Sequence, residues 1–164
     1  MKYIWMGILA AASAVCFCTL PRTGMDAAKL LPAQVLVIRQ ADGVVTVSSD
    51  LEVSGVGQTL EQAMEAMEEN APGTLFLDTA EHVVLCSDDA RLLHETIWED
   101  RLRPAAKLYL ASDEVDTAAE LVEYLQAHSG RVTQADARAA VLRGQALQLP
   151  HLEMAQNGGI LLAQ

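Results

Sequence analysis

Residues Tyr3 to Leu20 form an apolar run that no charged side chain interrupts. The run follows Lys2 and is closed by Pro21-Arg22. A segment with no polar face is neither a surface loop nor half of an amphipathic helix. At the start of a chain, behind a single basic residue, it is read by the secretion machinery. Residues 1–22 are therefore expected to be a hydrophobic leader helix, either a signal peptide or a membrane anchor. The rest of the chain is expected on the extracytoplasmic face of a bacterial cytoplasmic membrane, or secreted from it.

Three fates of the leader are open. At about 18 residues it reaches the lower limit for spanning a bilayer as an uncleaved anchor. Ala12-Ser13-Ala14 forms an A-x-A site, with cleavage after Ala14. Ser13-Ala14-Val15-Cys16 is the third possibility, a lipoprotein signal in which Cys16 is the candidate lipidation residue, although Val15 stands where Gly or Ala is preferred.

Behind the leader, residues 23–31 read as a connector of weak helical character, and 32–164 as one α/β domain. About 130 residues suffice for a single core. Hydrophobic residues make up 51% of the chain but aromatics only 4%, so Leu, Val, Ala and Met must fill that core. The formal net charge of -11 excludes nucleic acid as a partner, because phosphate neutralisation needs a basic face. Of three cysteines, two lie in the leader, so no disulfide within the domain is expected.

The domain alternates strand and helix signals. Val35 to Ile38 and Val44 to Val47 flank Asp42-Gly43, a hairpin pattern. Ser48 to Gly57 reads as irregular or as a further short strand, with Gly55-Val56-Gly57 as a turn into a helix. That helix opens on Thr59-Leu60-Glu61-Gln62, a capping box, with Leu60, Ala63, Met64 and Met67 as its apolar stripe. Thr74 to Leu77 is a short strand. His82 to Cys86 is apolar enough to be central. Ser87 is expected to cap a second helix, whose buried face would be Leu92, Leu93, Ile97 and Trp98. Lys107 to Ala111 is another strand. A third helix runs from Ser112 or Asp113 to His128, and a fourth from Thr133 to Arg143, stopped by Gly144. Leu147 to Met154, a turn at Asn157-Gly158-Gly159, and Ile160 to Ala163 suggest a closing hairpin. The expected fold is a mixed sheet with flanking hairpins and about four helices.

Chemistry is sparse. His94-Glu95 begins like a zinc-protease helix, but Trp98 stands where the second His is required. His82 and Cys86 share a strand face, yet two ligands do not make a metal site. Asp88 and Asp89 suit a helix dipole. Glu65, Glu68 and Glu69 suit a solvated face. Arg101 and Arg103 balance nearby acids or mark a contact surface. An enzymatic reading would need His82, Asp88 or Glu95 to converge in one pocket. No catalytic residue, metal or cofactor is expected.

One succession resembles a known family. Gly57-Gln58-Thr59-Leu60 opens a helix. His82-Val83-Val84-Leu85-Cys86 is a His-led strand followed by a helix rich in acids and Leu. Ala106 to Ala111 is the next strand, and Leu149-Pro150-His151-Leu152 leads into the tail. This is similar to the N-terminal domain of the spore germination GerAC-type family, written Ger(x)C, over roughly Pro32 to Gln164. Members are the lipoprotein C subunits of nutrient germinant receptors. The resemblance implies a non-enzymatic subunit on the outer face of a membrane, assembled with integral-membrane protein subunits. It implies a structural role for His82 and offers no catalytic residue.

Overall fold

The centre of the sheet is built around two apolar runs, Val35 to Ile38 and Val83 to Cys86. Val35–Ala41 (β2) and His82–Cys86 (β6) pair in parallel, Leu36 opposite Val83 and Ile38 opposite Leu85. Every residue of β6 is buried, as expected for a strand covered on both faces. The computed structural model describes residues 29–111, 118–154 and 160–163. The leader and its three readings, the start of the third helix and the turn at Asn157 to Gly159 lie outside them.

Within the described residues the fold is mixed α/β. The other strands are Leu30–Pro32 (β1), Val44–Ser49 (β3), Ser54–Gly57 (β4), Thr74–Phe76 (β5), Lys107–Ala111 (β7), His151–Met154 (β8) and Ile160–Ala163 (β9). The helices are Leu60–Asn70 (α1), Ala90–Trp98 (α2), Ala118–Ala127 (α3) and Gln134–Leu142 (α4). The main sheet has the order β4-β3-β2-β6-β7-β8-β9, and β1 pairs with β5 in a separate two-stranded sheet. Strands β2, β6, β7 and β8 are parallel, with antiparallel pairs at both flanks.

Alternation along the strands feeds two cores. Leu36, Ile38, Val83, Leu85 and Leu108 pack with α1, α2 and Ala137 of α4. Val35, Val37, Val84, Cys86 and Tyr109 pack with Leu121 and Leu125 of α3. Buried Leu60, Met64 and Met67 hold α1 to the first face, each side chain contributing about 1.5–3 kcal/mol. At the β2–β3 turn Asp42 and Gly43 both take positive φ, 51° and 77°, as the Asp-Gly signal requires.

Several local expectations are corrected. Leu30 and Leu31 belong to β1 rather than to a helical connector, because β5 offers them a parallel partner. Gly55 and Gly57 lie in β4, not in a turn. A Cβ on Gly55 would stand 2.1 Å from the Ala63 carbonyl oxygen, so glycine is what lets α1 rest on this edge strand. The cap of α2 is Asp89, whose carboxylate accepts from the Arg91 amide at 2.8 Å, while Ser87 Oγ accepts from the Asp89 amide. The Gln62 side chain of α1 accepts from the Gln58 amide, one residue before the Thr59 cap. Leu77 ends up in a 3-10 turn, and Leu147 to Pro150 precede β8 as irregular chain.

Candidate functional site

A cleft lies between the start of α1 and the end of α2. It has a volume of about 490 Å³ and is lined by Thr59, Leu60, Glu61, Glu95, Trp98, Glu99, Asp100 and Arg101. The Thr59 cap turns the first amides of α1 toward this cleft, and the Leu60 amide donates to Glu95 Oε2 at 3.5 Å. Four of the lining residues are acids and one is basic. Glu95 is paired with Arg91 at 2.9 Å. Arg101 binds Glu99 through three hydrogen bonds, Nε to Oε1 at 2.9 Å, Nη2 to Oε2 at 3.1 Å and the backbone amide to Oε1 at 3.1 Å, and its guanidinium lies 3.6 Å from Glu68.

Burial opposes ionisation of Glu99, but the hydrogen bonds from Arg101 outweigh it, so its carboxyl titrates below its ordinary value. The same hydrogen bonds raise Arg101. Glu61 makes no ion pair among the described residues and leaves the mouth electronegative.

Trp98 sits on this cleft with 38% of its surface exposed, against the expectation that it closes the buried face of α2. It is the last residue of a nine-residue helix, where the apolar stripe runs out. Its surroundings come from α4. Arg138 stands over the indole at 5.5 Å and donates to the Ile97 and Glu99 carbonyls at 2.6 and 3.1 Å. Gln134 donates to the Thr96 and Glu99 carbonyls. Carbonyls at the end of α2 are thus capped by side chains of another helix. A partly exposed indole beside carboxylates is a surface that suits a cationic side chain with an apolar stem.

The residues singled out by the enzymatic reading are not brought together. His82 begins β6, Asp88 follows its other end, and Glu95 lies on α2, which packs on the opposite face from Tyr109, the partner of His82. His82 is buried and bonded to Tyr109. Burial first, and Lys107 second, lower its pKa to about 4. Tyr109 is raised by its own burial, against hydrogen bonds from Gly130 and Ser129. His94 faces Trp98 one turn along α2. Cys86 is buried. Arg103 binds the Ala80 carbonyl and pairs with Glu81. Among the described residues no group of three or more His, Cys, Asp or Glu side chains has a metal-holding arrangement. No helix among them is long and apolar enough to cross a membrane.

Sequence reasoning missed Gln134 and Arg138, which carried no motif, and it placed Trp98 inside. No protein-family model, curated protein or solved structure matches the chain.

Proposed function

We propose that this chain is a non-enzymatic module held at the extracytoplasmic face of a bacterial membrane, where it acts by docking to integral-membrane protein subunits in the manner of a germinant-receptor C subunit. The docking surface is the α1/α2 cleft, and its occupant is a basic segment of such a subunit. The observation that carries this reading is the half-exposed Trp98 among the carboxylates of the cleft. Aromatic side chains in a polar rim are the usual anchors of interfaces, and a domain this acidic draws basic surfaces toward it. The apolar leader supports the compartment, and the order of the His82 and Lys107 strands supports the kinship.

The test is capture from sporulating cells with the leader intact and a photo-crosslinker placed at Glu61. The expected product is an integral-membrane protein, lost in Trp98→Ala. Recovery of the chain free in the medium, with no membrane partner, would overturn the reading. Intact mass of membrane-extracted protein then separates the three leader fates: a full chain, one starting at Val15, or a lipid-modified one starting at Cys16.

A second reading, an envelope module that binds a small ligand, is favoured by one separate observation, the guanidinium of Arg39.

A further inference from the structure

Arg39 occupies the carboxyl-terminal part of β2, with Thr46 of β3 and Cys86 of β6 as its backbone neighbours. By strand alternation it shares a face with Val35 and Val37, the face on which α3 packs. Its Nε and Nη2 are buried and have no hydrogen-bond partner among the described residues. These two nitrogens form one edge of the guanidinium, whose parallel N–H groups match the two oxygens of a carboxylate. Native proteins rarely leave such a cationic donor pair buried without an acceptor, because the lost hydration is not recovered.

The topology supplies an independent pointer. Strand order reverses between β2, whose chain runs on outward to β3 and β4, and β6, whose chain runs on the other way through α2 to β7. In open α/β sheets ligands bind outside the carboxyl ends of strands where this happens. Arg39 lies beside that place, paired with Cys86, the last residue of β6.

We infer that Arg39 anchors a binding site for a small aliphatic carboxylate at the carboxyl edge of the central strands. A monoanion fits better than a phosphate dianion, since Asp88 and Asp89 follow Ser87 just beyond β6 and the chain carries a net charge of -11. An aliphatic tail suits a face otherwise built from Val37, Val84 and Leu121. This site and the Trp98 cleft lie on opposite faces of the sheet, so each stands or falls alone.

The test uses the full nitrogen-15-labelled chain in micelles, titrated with propionate and separately with inorganic phosphate, following the Arg39 Nε–H resonance. The expected result is a saturable shift with propionate at millimolar concentration, weakened about tenfold or more in Arg39→Lys, which keeps the charge but loses the fork. No saturable shift up to about 0.1 M propionate, equal binding by Arg39→Lys, or saturation by phosphate alone would each overturn the inference. If Arg39→Lys does not fold, the wild-type titration decides the matter by itself.

Discussion

His82 Nδ1 lies 2.9 Å from the Tyr109 hydroxyl oxygen, which also accepts the Gly130 amide proton at 2.8 Å. With Gly130 donating, the hydroxyl proton is available for Nδ1, an arrangement that suits a neutral His82 with its proton on Nε2. The triangle ties the start of β6 and the middle of β7 to the segment leaving α3. Ser129 extends it, since it takes a hydrogen bond from the Lys107 ammonium.

The neutral His82 makes stability depend on pH. Its pKa is about 4 in the folded protein against an ordinary value of 6.5. Between those values the unfolded chain binds a proton that the folded chain refuses, so stability falls as pH falls through this window. The full shift corresponds to roughly 3 kcal/mol as an upper bound, reached below the folded pKa. Urea midpoints measured from pH 6.5 down to 5 should decline, and His82→Gln should flatten that slope. A flat wild-type profile contradicts the assignment. Glu99 acts at lower pH: its depressed pKa gives stability that is present above 4.5 and lost as pH drops through the lowered folded value.

Tyr109→Phe removes one oxygen and orphans two buried groups, the imidazole Nδ1 and the Gly130 amide. The expected cost is about 2–4 kcal/mol by urea denaturation, with lost exchange protection at the Gly130 amide. Gly130→Ala should also destabilise, because its Cβ would stand 2.8 Å from the Tyr109 ring. Unchanged protection in Tyr109→Phe would mean that the hydroxyl holds nothing.

Gly55→Ala should be among the most disruptive methyl additions in the domain. The new Cβ meets backbone atoms of α1, the Ala63 oxygen and the Met67 nitrogen both at 2.1 Å, and backbone cannot rotate away as a side chain would. Prising α1 from β4 exposes part of its Leu60, Met64 and Met67 stripe, and a loss of about 3 kcal/mol or more is expected. The same change at Gly43, where a Cβ meets nothing, should cost only the backbone strain of its positive φ, about 1 kcal/mol. Comparing the two melting temperatures checks the ordering.

Arg138→Ala should uncap the end of α2. It removes the bonds to the Ile97 and Glu99 carbonyls and a cation from the negative end of a helix, a loss of about 2–3 kcal/mol. Since Trp98 is the only tryptophan after the leader, its emission should shift in the variant. Arg138→Lys should recover part of the stability and little of the emission, because an ammonium cannot cap two carbonyls while lying flat on the indole.

The sequence by itself determined the elements. The hairpin at Asp42-Gly43, the Thr59 start of α1, the largely apolar β6 and the end of α4 at Gly144 were legible, because each depends on residues a few positions apart. It also placed β8 and β9 as an antiparallel pair. Tertiary structure alone decided which distant groups meet. Leu30 and Leu31 became a strand only because β5 was there to pair with them. Gly55 reads locally as a turn, yet its role is the room it leaves under α1. Trp98 followed the helical stripe in sequence and came out half exposed, since α2 ends at that residue and Arg138 arrives from forty positions away in the chain. Local propensity is set by neighbouring backbone and side-chain sterics, whereas a site is set by the meeting of groups remote in sequence. The cleft at Trp98 and the guanidinium edge of Arg39 are of the second kind.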